Sequence, residues 1–294
     1  MAWIKVGSRR IYIEEYGKGN AHAVVFFHGG PGAGCGAFVD QARALGEKYH
    51  AVLFDQYGAM RSGAIPAKEP FGMVDHVRLI DELRGALGIQ SWVVLGHSYG
   101  GTLACLYAYT YPERTDAVIY ECSSWDLGLS AQSAATFFLP YLREIQSEQG
   151  MESCEKILNG DPANTVELHN ELRTVLAPLV RHLYMHRKCN WPKSKTRAPF
   201  NAARKNAVHC RKIREEGLIY QSFRPYLDEI DRPSLLLAAK YDPVCGALER
   251  AYFQRHVPNG TIFEFQDSGH FPHIEEPEAF TKTIVNFLDA QQIR

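Results

Sequence analysis

Apolar residues fall into short continuous runs along this chain, each closed by glycine or by polar residues. AHAVVFFHG, HAVLFDQYG, SWVVLGHS and DAVIYECSS follow one another in the first half, and PSLLLAAKYD and TIFEFQDSG repeat the pattern near the C-terminus. Runs without polar alternation predict strands buried on both faces, hence a mostly parallel sheet. RRIYIEEYG differs, because it alternates as a half-exposed strand does. Between the runs, MVDHVRLIDELRGAL, GTLACLYAYTY and EAFTKTIVNFLDA carry helical spacing. Strand–helix alternation of this kind predicts a layered α/β fold with helices flanking the sheet.

One interval departs from the alternation. From about Ser124 to Glu229 the spacing is helical, most clearly in YLREIQSEQGMESCEKIL and TVELHNELRTVLAPLVRHLYM. The expected organisation is a core of residues 1–123 and 231–294, with a helical cap, 124–230, inserted between two core strands. Within the cap, His186 to Arg214 holds ten Lys or Arg and no Asp or Glu. Such a run is either a solvated basic face or a pocket wall or partner site that favours acidic groups. Phe137, Phe138, Tyr141 and Trp191 are candidates to line the pocket, and core packing accounts for them equally well.

Composition narrows the function classes. The chain has 294 residues, 46 % of them hydrophobic and 22 % charged, as a soluble globular protein does. The formal net charge of −1 supplies no overall field for nucleic acid or an anionic membrane, so neither is expected as a partner. No apolar stretch approaches the ~18 residues of a membrane span. The N-terminus MAWIKVGSRRIYIEEYG lacks the apolar centre of a signal peptide, which makes a cytoplasmic location the expectation. Seven cysteines without CxxC spacing fit unpaired thiols in a reducing compartment, and no metal site is expected.

The chemistry centres on Gly96-His97-Ser98-Tyr99-Gly100, which lies between the run WVVL and a helix of small residues. A G-x-S-x-G turn from strand to helix is so tight that the neighbours of the serine must be small, and it projects the hydroxyl above the sheet. The alternative is a serine that merely caps the helix. A serine hydroxyl needs a base, and the base needs a third group to hold it. Where such a turn carries the nucleophile, the acid and then the base follow in the chain. LLLAAKYDPVC supplies Asp242 just past a late strand, unless it is an ordinary turn residue before Pro243. TIFEFQDSGHFPHIEEPEAF supplies His270 directly after the last strand, with His273 and His97 as competing bases. Glu121 and Asp126 are reserve candidates for the acid.

HGGPG, residues 28–32, follows a strand and exposes backbone. A phosphate loop needs Gly-Lys-Ser/Thr after its glycines, and PGAGCGAF has no lysine. Nor does the glycine spacing match a dinucleotide fingerprint. Beside a nucleophilic serine, the charge to be held is the oxyanion of a tetrahedral intermediate. Pro31 has no N–H, so Gly30 is the first choice of donor with Gly29 in reserve, and the amide of Tyr99 is the second.

HGGPG, FDQYGAMRSG, GHSYGG, KYDPVC and DSGHFPHIEEPEAF, in this order, resemble the proline iminopeptidase family of the α/β-hydrolase superfamily. The resemblance covers roughly residues 3–123 and 231–291. It implies an α/β-hydrolase fold and removal of an N-terminal residue, often proline, from short peptides without metal or cofactor. It would make Ser98 the nucleophile, His270 the general base and then acid, Asp242 its orienter, and Gly30 and Tyr99 the oxyanion donors. The family's DQRG stands here as Asp55-Gln56-Tyr57-Gly58, and Pro243 stands where some members carry a glutamate. Glu215 and Glu216 are then the nearest candidates to bind the substrate ammonium. Three functions follow: an aminopeptidase on short peptides or amino-acid amides; an esterase, lactonase or amidase for a small, acidic or natural-product-like molecule; and a hydrolase-fold binding protein without turnover.

Overall fold

The computed structural model describes residues 2–176, 183–187 and 201–293. Its strands are β1 (Ala2–Val6), β2 (Arg9–Tyr16), β3 (Ala23–Phe27), β4 (His50–Phe54), β5 (Trp92–His97), β6 (Thr115–Glu121), β7 (Ser234–Ala239) and β8 (Gly260–Phe265). They form one sheet in the order β1-β2-β4-β3-β5-β6-β7-β8. β1 and β2 pair antiparallel, as do β2 and β4, and every later pairing is parallel. The continuous runs predicted this arrangement, since β3, β4, β5 and β7 are buried at every position.

Successive side chains feed opposite faces of the sheet. Val25, Phe27, Val94 and Tyr120 pack with α2 (Met73–Ala86) and α3 (Tyr99–Thr110). Val24, Phe26, Val93 and Leu95 pack on the other side with α1 (Val39–Leu45) and the C-terminal helix. Two strands differ from their sequence reading. In β2 the stretch Ile11–Glu14 is wholly buried, because the Glu14 carboxylate accepts hydrogen bonds from the Tyr12 and Tyr16 hydroxyls and from Arg61. β8 is the last strand of the sheet, so Phe263 is exposed despite its apolar context.

Between β6 and β7 lie α4 (Leu127–Glu144), α5 (Glu148–Asn159), α6 (Thr165–Leu176), α7 (Ala202–Glu216) and α8 (Arg224–Asp228). α4, α5 and α6 share an apolar cluster of their own around Phe138, Ile157 and Leu168. The sequence reads YLREIQSEQGMESCEKIL as one helical piece, but the chain breaks at Gln146, where φ is +54°. Ser147 then restarts the helix by accepting a hydrogen bond from the Gly150 amide. α9 (Ala247–His256), α10 (Pro272–Glu275) and α11 (Pro277–Ala290) complete the described helices. None of the described helices is long and apolar enough to cross a membrane. The six described cysteines are free.

Candidate active site

The turn from β5 into α3 puts Ser98 at φ +54°, ψ −124°, with its N–H donated to the Glu121 carbonyl at 2.9 Å. No side chain but hydrogen fits at the flanking positions. A Cβ on Gly96 would lie 2.3 Å from the Gly100 carbonyl oxygen, and one on Gly100 would lie 2.0 Å from that of Phe27. Ser98 makes no side-chain capping bond to α3, which removes the capping alternative. Its strained turn leaves the hydroxyl at the wall of a cavity of about 580 Å³.

His270 lines the same cavity. Its Nδ1 is 2.8 Å from Asp242 Oδ1, and both side chains are buried. Asp242 is fixed in turn by the amides of Val244 and Cys245, at 3.0 and 2.9 Å. A carboxylate partner at Nδ1 selects the tautomer that carries its proton there, leaving Nε2 free to accept one. Burial lowers the pKa of His270 below the ordinary histidine value, and the Asp242 charge and hydrogen bond oppose that shift.

The loop that carries His270 is pinned by a residue that no sequence motif singles out. The Glu275 carboxylate accepts from the amides of Gly269 (2.9 Å), His186 (2.8 Å) and Arg187 (2.8 Å), and more distantly from that of Phe271. The His270 amide donates to the Tyr184 carbonyl at 2.6 Å. Residues far apart in the chain thus hold the His270 loop in place. The role of Glu275 within DSGHFPHIEEPEAF is visible only in these contacts.

The competing candidates pair with one another. His273, at the start of α10, sets its Nδ1 2.7 Å from Glu121 Oε1 and donates its amide to the same oxygen. His97 Nδ1 lies 3.4 Å from Glu121 Oε2. The two histidines hold the Glu121 carboxyl well below the usual carboxylate range, although burial opposes them. A second histidine–carboxylate pair therefore stands beside Asp242–His270, with the His97 ring 4.8 Å from that of His270. His97, Glu121 and His273 bring donor atoms within 4.8 Å of one another, as do Cys122, Asp242 and His270, so both sets could hold a metal ion. In each set the shortest contact is a histidine–carboxylate hydrogen bond.

HGGPG runs alongside the serine. A Cβ on Gly29 would come within 3.2 Å of Ser98 Cβ. His28 clamps this loop to the DQYG segment: its Nε2 accepts from the Gln56 amide at 3.0 Å, and its carbonyl accepts from Gln56 Nε2 at 2.9 Å. Asp55 receives Arg61 bidentately at 2.6 and 3.0 Å and the Cys35 amide at 2.9 Å. DQYGAMRSG is thus a brace for the loop. Gly30 and Tyr99 both line the cavity, and neither N–H is claimed by another group among the described residues.

The cavity wall is mostly apolar, with Trp125, Leu127, Tyr184, Phe223, Val244 and Phe271 prominent. Phe137, Phe138 and Tyr141 are not part of it; Phe138 fills the α4–α6 cluster with Tyr141 packed against it, and Phe137 is exposed. Trp191 lies outside the described residues. Glu215 and Glu216 do not line the cavity either. Glu215 pairs with Arg211 at 2.5 Å, and Glu216 accepts the Met73 and Val74 amides at the start of α2. Carboxylate at the wall comes instead from Asp126. Its Oδ1 caps α4 by accepting the Gly128 and Leu129 amides, both at 3.1 Å, and buried Glu249 holds its own amide.

The α/β-hydrolase fold profile matches residues 22–277. The proline iminopeptidase of Xylella fastidiosa (strain 9a5c) is 40 % identical over 139 residues, 45 % of this chain, and the match spans only 44 % of that relative. That of Heyndrickxia coagulans is 25 % identical over 98 % of both chains. The crystal structure of a proline iminopeptidase-related protein from Thermus thermophilus superposes with a TM-score of 0.74 at 22 % identity, covering 99 % of this chain and 97 % of its own. The chain belongs to the α/β-hydrolase fold family and resembles its proline iminopeptidases.

Proposed function

We propose that this protein is a serine hydrolase that works through an acyl-enzyme and acts as an aminopeptidase on short peptides or amino-acid amides. The observation that carries the hydrolase reading is the Asp242–His270 hydrogen bond, on a cavity that also holds Ser98 in its strained turn. Ser98 Oγ attacks the substrate carbonyl while His270 Nε2 accepts its proton. The oxyanion rests on the N–H groups of Gly30 and Tyr99, each worth ~3–4 kcal/mol by the scale of such donors. His270 then protonates the leaving amine and activates the water that deacylates the serine. Asp126 supports recognition of a free N-terminus, since its Oδ2 accepts no hydrogen bond among the described residues.

Paired assays of aminoacyl amides and their N-acetyl counterparts test the aminopeptidase reading. The free amines should turn over faster, and equal or faster cleavage of the blocked ones sinks it. The second reading, an esterase, lactonase or amidase for a small acidic molecule, is favoured by the presence of Arg214 on the cavity wall. Brisk turnover of acyl esters with indifference to a free amine would select it. Covalent capture of Ser98 by a fluorophosphonate discredits a non-catalytic binding protein.

A further inference from the structure

Among the described residues, Arg61, Asp126 and Arg214 bring charge to the cavity wall, and they are not equally committed. Arg61 is spent on Asp55 and Glu14, at 2.6 and 3.2 Å. Asp126 gives one oxygen to the start of α4. Arg214 has no side-chain ion pair or hydrogen bond among the described residues. Its acidic neighbours on α7 are engaged elsewhere, Glu215 by Arg211 and Glu216 by the start of α2. Residues 177–182 and 188–200 contain no Asp or Glu that could neutralise it.

Position adds to this. One turn earlier on α7, Cys210 also lines the cavity and donates its thiol to the Pro31 carbonyl at 3.2 Å. The face of α7 that bears Cys210 and Arg214 therefore lies against the oxyanion loop. Tyr220 and Gln221, just after the helix, line the cavity as well. A half-buried arginine without a partner among the described residues, on a mostly apolar wall, is a site for a planar anion, because its fork matches a carboxylate in two parallel hydrogen bonds.

We propose that Arg214 receives a carboxylate of the substrate, so that short peptides with a free C-terminus are preferred over their amides. This rests on reading the cavity as the active site. Asp126 and Arg214 would then complement the two ends of a zwitterionic di- or tripeptide.

The test compares kcat/KM for Pro-Ala and Pro-Ala amide, using the full chain and the variants Arg214→Gln and Arg214→Lys. The free acid should be favoured about tenfold or more, chiefly through KM, as expected for a charge-assisted pair. Arg214→Gln should bring the acid-to-amide ratio to near one, and Arg214→Lys should keep part of it. Calorimetric binding of both peptides to Ser98→Ala gives the same ratio without turnover. A ratio near one in the wild type, or one that survives Arg214→Gln in a cooperatively folded variant, overturns the proposal. N-acetyl-Pro-Ala separates the two readings. Equal cleavage of the blocked peptide with the acid preference intact removes the aminopeptidase and leaves the carboxylate anchor. A strict need for the free amine without acid preference does the reverse, and binding of neither peptide overturns both.

Discussion

His270 and His273 stand three residues apart, both buried and both hydrogen-bonded through Nδ1 to a carboxylate. What separates them is the position of each carboxylate. Asp242 follows β7 and is anchored by its own turn, whereas Glu121 ends β6 and is shared with His97. On the proposed mechanism His270→Asn should therefore abolish turnover, while His273→Asn should leave the Asp242–His270 pair in place and cost stability instead. Burial keeps the His273 ring neutral, so its loss leaves the buried Glu121 carboxylate one hydrogen bond short, at about 1–3 kcal/mol, readable by urea unfolding. The pH profile follows from the same geometry. As the proposed base, His270 must be neutral to work, and burial lowers its pKa. The acid limb of kcat/KM should accordingly have its midpoint below 6.5, the ordinary histidine value. Asp242→Asn removes the charge that opposes burial, so the limb should move further down while kcat falls about 10³–10⁴-fold. An acid limb at or above 6.5 in the wild type would contradict a base governed by burial.

Among the elements, the site depends on a loop tied across the chain. Glu275 gathers amides from the His270 loop and from residues 186 and 187, which belong to the stretch between β6 and β7. Glu275→Gln keeps the shape but turns one acceptor oxygen into a donor, leaving buried amides unpaired at about 1–3 kcal/mol each. Lower stability together with a kcat loss of about tenfold or more is expected, measured by denaturant titration and initial rates. What can be read from the sequence divides along the same line. That Ser98, Asp242 and His270 meet at one cavity is legible because each follows a strand marked by its apolar run. Glu275 is not, since its partners are up to 89 residues away. Glu215 and Glu216 point to the substrate in the sequence because they are acidic and late in the helical interval; which way α7 turns them depends on packing that one sequence does not encode locally. The basic stretch splits for the same reason, with Arg214 on the cavity and Arg211 at the surface.

Across the molecule, buried histidines join α2 and α7 to the DQYG segment. His209 on α7 stacks edge-on against His76 on α2 at 4.8 Å, and both point a ring nitrogen at the Tyr57 carbonyl. Burial lowers the pKa of His76 to about 4 and that of His209 well below the ordinary value. A histidine whose folded pKa is depressed gives stability that is complete above its unfolded pKa of ~6.5 and is lost as pH falls toward the folded pKa. By pH 5, His76 alone should cost about 2 kcal/mol. Glu249 and Glu275, whose carboxyls burial raises, act in the opposite sense, so the absolute stability is a poor readout. The slope is a better one. Urea midpoints measured from pH 7 to pH 5 should fall more steeply for the wild type than for His209→Gln, even though the variant is less stable at pH 7. Parallel slopes would mean that His209 is reached by solvent and that α7 is held over the site by its other contacts.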